Sequence, residues 1–493
     1  MKLFFVWLAL GMGLTGSLAA ALSVPPQFGE GAVLQRDKPL PLWGTARPET
    51  AVSISVAGTT ASARTDAEGR WRATLPPLAA GGPFDLRIDS GEESLEHDVW
   101  VGEVWLASGQ SNMRWTIGRS RNADFFRATE VHTEIRLLYV EGRGSDQPQT
   151  TFRGEWKAVN SDTISGHSAV AFHFAKALHA VLGVPVGIVE NAWGGSAADA
   201  WIAREALRKH PELDLIDKYW QRYEEAHAHL DPIPQPFTGN QRPGNIFNTR
   251  VHPLIPMALR GVIWYQGESN AGRSAQYRAL FPALIENWRD LWDKDDLPFY
   301  WVQLAAFRAA GPSGPDDTWA QLRDAQTGTQ RLPNTGQVVT IDIGDGTDIH
   351  PWEKEEVGRR LARWALSREY GVADLQYRSP SVLSWEQTGN EVTVLFDDIG
   401  GGLRRIDLPD VRGFAVAGAE REWMEVDGTL VESERVVLEI PEGFTVKALR
   451  YAWASNPAVN IFSFEGLPLT PYRSDDWPWI GEENIVPPHV LDF

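Results

Sequence analysis

Two stretches of the chain hold residues able to carry out nucleophilic chemistry. In the first, Gly102-Glu103-Val104-Trp105-Leu106-Ala107-Ser108-Gly109-Gln110-Ser111-Asn112-Met113, an apolar strand body runs straight into a turn that presents a serine. Gly109 can adopt backbone angles closed to other residues, so the turn can be sharp and the Ser111 hydroxyl can stand clear of its own backbone. In the second, Gly344-Asp345-Gly346-Thr347-Asp348-Ile349-His350-Pro351, a histidine lies in a loop with Asp348 and Asp345 upstream of it. A neutral imidazole is suited to take up a proton near pH 7, and a carboxylate can orient it. Serine, histidine and carboxylate together are the components of acyl transfer.

Two further stretches offer donors for a developing oxyanion. Asn191-Ala192-Trp193-Gly194-Gly195-Ser196 follows a strand, and consecutive glycines at a strand-to-helix junction leave backbone N–H groups exposed. Gln266-Gly267-Glu268-Ser269-Asn270 stands at the carboxyl end of another strand, where ligands of open α/β sheets bind and where a side-chain amide can donate. The chain has no His/Cys pair at metal-ligand spacing, no phosphate loop and no dinucleotide fingerprint. Asp342, Asp345 and Asp348 do not match the spacing of a calcium loop. The expectation is an enzyme without metal or cofactor.

These residues need strands and helices to position them. Buried strands are predicted at Val104–Ala107, Val186–Val189, Gly261–Tyr265, Phe299–Leu304 and Val338–Ile343. The 3.6 period of Ser168–Leu182 puts Val170, Phe174, Leu178 and Val181 on one face of a helix that Gly183 stops. Further helices are expected at Ala197–Leu207 and from Trp352 to about Ser367. Strand and helix in alternation mark an α/β domain. Before it, residues 22–100 read as short alternating strands separated by turns, and after it residues 376–493 return to strands around Gly400-Gly401-Gly402. Residues 211–248 read as an excursion in which the Pro-rich run Asp231–Pro236, followed by Gly239–Gly244, forms a mobile or substrate-covering loop.

Composition narrows the function classes. A formal charge of -19 argues against nucleic acid and anionic membrane surfaces, which bind through basic patches. Met1-Lys2, an apolar run from Leu3 to Leu14 and the small residues ending at Ala21 read as a secretory leader spanning residues 1–21. With no cysteine for a disulfide or lipid anchor, the expected mature protein is exported, free of the membrane, and either secreted or periplasmic.

Gly109-Gln110-Ser111-Asn112-Met113, Trp193-Gly194-Gly195-Ser196, Trp264-Tyr265-Gln266-Gly267-Glu268-Ser269-Asn270 and Asp348-Ile349-His350-Pro351, in that order, resemble the sialate O-acetylesterase-like branch of the SGNH hydrolases. The chain is also similar to carbohydrate acetylesterases of that branch acting on xylan or xyloglucan. The resemblance implies a flavodoxin-like α/β/α core, residues 101–375, flanked by β-sandwich-like modules. It implies release of acetate from O-acetylated sugars with Ser111 as nucleophile and His350 as base. The backbone N–H groups of Ser111 and Gly195 and the side chain of Gln266 would form the oxyanion hole, with Asn270 a further candidate there or at the substrate. Asp348 is the family-like third member, with Asp345 or a backbone carbonyl as alternatives. Asn248-Thr249-Arg250-Val251 departs from the family's Asn-Gly-Met pattern, which singles out Arg250 as a substrate contact. Trp115, Trp193, Trp201 and Trp352 stand near the motifs, where indole rings can stack on sugars. The rival readings are a catalytically silent carbohydrate-binding protein and an esterase for another ester class.

Overall fold

The computed structural model describes residues 21–229 and 239–484. The expected leader, apart from Ala21, and the Asp231–Pro236 run lie outside the described residues. Its organising element is the strand Glu93–Gly109, in which burial alternates at first and then becomes continuous. The alternating part pairs antiparallel with Gly81–Ser90 in the N-terminal module. The continuous part lies between Val186–Ala192 and Gly261–Tyr265, both parallel to it. A strand with neighbours on both sides and helices on both faces is buried at every position, and apolar residues fill most of them. One strand therefore crosses the expected boundary between residues 22–100 and 101–375.

The central sheet runs in the order Thr335–Val338, Phe299–Val302, Gly261–Tyr265, the long strand, Val186–Ala192, His132–Tyr139 and Trp156–Val159. All pairs are parallel except the last. The chain builds one side of the sheet and then the other, so its direction of winding reverses at the carboxyl end of the long strand, the customary place for a ligand. Ala169–Leu182 and Lys354–Arg368 pack in the core on one face, while Ser274–Trp292 and Thr318–Gly328 pack in the other. The second of these cores is continuous with that of the N-terminal module, through Leu34, Val52 and Ile88.

Local signals explain several boundaries. Ala169–Leu182 starts where the Ser168 side chain accepts from Ala171 N–H and ends at Gly183, which has φ 62°. Val170, Phe174 and Leu178 are buried, whereas Val181, expected on the same face, is exposed on the last turn. Ala197–Leu207 is not one helix but two short pieces, Ala198–Trp201 and Arg204–Leu207. Between them the Ala203 N–H is taken by Asn287 Oδ1 at 3.1 Å. The strand expected at Val338–Ile343 is instead Thr335–Val338, and Val339 and Ile341 turn into the core of the C-terminal module.

That module is built on one seven-stranded antiparallel sheet with a two-stranded ribbon, rather than two large facing sheets. It braces the loop before His350. Arg323, wholly buried, donates to the carbonyls of Leu304 and Ala305 in the core and of Ala454 and Ser455 in the module. Asn456 Nδ2 donates to Arg308 O at 2.8 Å, and Phe307 bridges to Asp345. Arg360 clamps Asp342 through two 2.8 Å contacts.

Candidate active site

Ser111 opens the short helix Ser111–Arg114 at the carboxyl end of the long strand. The turn before it depends on Gly109, whose φ is 135° and where a Cβ would collide with the Tyr265 carbonyl. Gln110 N–H donates to that carbonyl at 2.9 Å, and its side-chain Oε1 accepts from Gly267 and Ser269 N–H. The serine turn is thus stitched to the loop of the neighbouring strand.

His350 Nε2 lies 2.9 Å from Ser111 Oγ, and its Nδ1 lies 3.1 Å from Asp348 Oδ1. With Nδ1–H donating to the carboxylate, Nε2 is left as acceptor for the serine hydroxyl, the tautomer assigned from the hydrogen-bond network. Asp348 Oδ1 also accepts from His350 N–H, so one residue fixes both the backbone and the ring. Asp345 instead accepts from Thr347 N–H, Thr347 Oγ1 and Asp348 N–H, and thereby shapes the loop. Burial is the main cause lowering the His350 pKa below the ordinary imidazole value; Asp348 opposes it, and Lys354 and Arg119 add to it.

Gly194 stands beside the serine, its position for a Cβ 3.6 Å from Ser111 Cβ. Its carbonyl accepts from Asn240 Nδ2 at 2.6 Å, and the Gly195 carbonyl accepts from Gln241. Because the peptide is trans, the Gly195 N–H points away from Asn240. Ser111, Arg114, Trp115, Arg119, Gly194 and His350 line a cavity of about 530 Å³.

Four of the residues expected at the site lie elsewhere. Gln266 is fully buried, its Nε2 donating to Ser196 O at 3.1 Å and Asn270 Oδ1 at 2.7 Å while Oε1 accepts from Tyr277. Both amide hydrogens are spent, which leaves none for an oxyanion. Asn270 is equally engaged, accepting from Ala198 N–H and donating to Asp199. Trp201 packs in the core against Trp264 and donates to Ser196 Oγ. Arg250 is buried behind Trp193, whose ring it faces at 4.7 Å, and donates to Ala192 O and Gly142 O. These side chains support the glycine turn from behind instead of meeting a substrate.

Other residues are brought to the site. Trp115 stacks on the His350 ring with centroids 4.6 Å apart and planes at 14°. Asn112, beside the serine, donates to Glu268 Oε1 at 2.5 Å and to Ile349 O at 3.0 Å, and accepts from Lys354 Nζ at 2.5 Å. This amide ties the serine helix to the residue before the histidine. Asn112 and Glu268 sit inside the sequence motifs, and that placement was the available signal; Lys354 carries none. Burial lowers Lys354 to about 7 and raises the Glu268 carboxyl.

A family model described as carbohydrate esterase, sialic acid-specific acetylesterase, matches residues 238–367. Sialate O-acetylesterase of Rattus norvegicus is 28% identical, over 78% of this chain and 80% of the relative. The Homo sapiens sialate O-acetylesterase is also 28% identical, over 84% of each chain. A crystal structure of a carbohydrate acetylesterase from Xanthomonas citri is similar at 38% identity and a TM-score of 0.83, covering 92% of this chain and all of that one.

Proposed function

The chain belongs to the sialate O-acetylesterase-like carbohydrate esterases and is a carboxylic ester hydrolase, and from that premise we propose a serine mechanism on an SGNH-type α/β/α core. Its substrate is an O-acetylated sugar, on sialic acid or on a hemicellulose such as xylan or xyloglucan. It works after export from the cell, which the sequence of residues 1–21 supports. The observation that carries the reading is the pair of contacts on one imidazole, 2.9 Å to Ser111 and 3.1 Å to Asp348.

The reaction follows from these contacts. Ser111 Oγ attacks the acetyl carbonyl carbon as His350 Nε2 takes the hydroxyl proton. Asp348 stabilises the imidazolium that forms. The carbonyl oxygen becomes an oxyanion held by the backbone N–H groups of Ser111 and Gly195, fixed donors that need no reorganisation. The tetrahedral intermediate collapses with cleavage of the bond to the sugar oxygen, which leaves with the proton from His350. A water molecule, deprotonated by His350, then attacks the acetyl-serine and releases acetate and free Ser111.

A serine-directed organophosphonate tests the activated hydroxyl. The wild type is expected to be labelled at Ser111, and His350→Ala to be labelled far more slowly. Equal labelling of the two proteins would remove the histidine from the mechanism.

A further inference from the structure

Beside the cavity of the serine lies a second one of about 550 Å³, and the two share Arg114 and Gly166 as a common wall. Each is in the size range of small-molecule sites, about 300–1,000 Å³. Arg114 stands at the seam, its Nη1 donating to Gly166 O at 3.1 Å and its guanidinium 4.3 Å over the Tyr139 ring. The second cavity differs from the first in charge. Glu155 is paired with Lys157 at 2.6 Å, and Glu190 accepts from Ser168 N–H at 2.6 Å. Glu141 and Asp162, both exposed on its rim, form no ion pair among the described residues. Carboxylates without a cationic partner repel an anionic ligand, and they are strong acceptors for hydroxyl groups.

We propose that this second cavity is a glycan subsite, which holds the neutral pyranose residue next to the acetylated one. Glu141 and Asp162 accept hydrogen bonds from that residue's hydroxyls, while Arg114 donates to oxygens at the junction between the two sugars. The preferred substrate is therefore an acetylated oligosaccharide, not an acetylated monosaccharide. The inference rests on the serine esterase reading and adds to it what the rest of the cleft does.

The test is kcat/KM of the full chain on acetylated xylo-oligosaccharides, an acetylated monosaccharide and 4-nitrophenyl acetate, for wild type and for Glu141→Gln with Asp162→Asn. Both substitutions keep the shape of exposed side chains, so folding is not at stake. The wild type is expected to favour the oligosaccharide over the monosaccharide by about tenfold or more, the scale of one or two charge-assisted hydrogen bonds. The double variant loses most of that preference through KM and keeps wild-type turnover of 4-nitrophenyl acetate. Equal kcat/KM for the two sugars in the wild type, or an unchanged ratio in the variant, overturns the subsite alone. No hydrolysis of any of the three esters by the folded wild type overturns the esterase reading and the subsite with it.

Discussion

Replacing Asn112 by leucine separates the serine from the histidine without touching either. Asn112 is 1% exposed, and its amide makes three contacts, to Glu268, Ile349 O and Lys354 Nζ. Leucine has the same number of side-chain heavy atoms branched at the same carbon, is bulkier and fills the space, but leaves a carboxyl, an amine and a carbonyl buried without this partner. Each such orphan costs about 1–3 kcal/mol, so with partial relaxation the expected loss of stability is about 3–6 kcal/mol. At roughly 2–4 °C per kcal/mol for a domain of this size, Tm falls by about 6–24 °C. Catalysis suffers as well, since the contact to Ile349 O holds the peptide before His350. A displacement approaching 1 Å costs up to about 100-fold in rate, and kcat is expected to fall by about 10- to 100-fold. Scanning calorimetry and initial rates of acetate release measure both quantities on one preparation. A leucine variant with wild-type Tm and kcat would refute the reasoning, because the buried amide would then be tying nothing together.

Other perturbations give equally definite outcomes. In the proposed mechanism His350 acts as a neutral base, and its pKa is held down mainly by burial, so kcat/KM should fall on the acid side with a midpoint below about 6.5, the ordinary imidazole value; a midpoint above 7 would contradict the assignment. Asp348 raises that pKa, so Asp348→Asn should move the midpoint further to acid. The same variant should lower kcat by about 10- to 100-fold, less than the roughly 10,000-fold known for a buried triad acid, because the Asp348 side chain is 54% exposed. Trp115→Ala uncovers one face of the imidazole and should shift the midpoint upward toward 6.5, with Trp115→Phe in between, read from the same pH profiles. Gln266→Ala removes three buried hydrogen bonds and should lower Tm together with kcat; a loss of about 100-fold or more in kcat at unchanged Tm would instead mark Gln266 as an oxyanion donor.

Local chemistry was readable from the sequence wherever one short stretch determines it. The strand into Gly109 and Ser111, the glycine stop at Gly183 and the loop placing Asp348 two residues before His350 all have local causes. Long-range partners decided the rest. Gln266 and Arg250 have the side chains of a binding site, and nothing adjacent in sequence reveals that Ser196 O and Tyr277 engage the Gln266 amide or that Ala192 O and Gly142 O hold the Arg250 guanidinium. Ala198–Trp201 breaks from the expected helix where Asp199 forms a buried ion pair with Arg273 at 2.9 Å and Trp201 enters the core. Val339 and Ile341 alternate as a strand should, yet the core they enter belongs to strands more than fifty residues further along the chain. The network of Asn112, Glu268 and Lys354 joins three separate segments, so the polar character of its members was visible and their meeting was not.

The measurement closest to the central claim is acetate release from O-acetylated sialic acids, xylo-oligosaccharides and xyloglucan fragments, comparing the wild type with Ser111→Ala of matched Tm. Release is expected from at least one substrate by the wild type and essentially none from any by the variant. Undiminished release by Ser111→Ala would contradict it, because the hydroxyl that stands 2.9 Å from His350 would then not be the nucleophile.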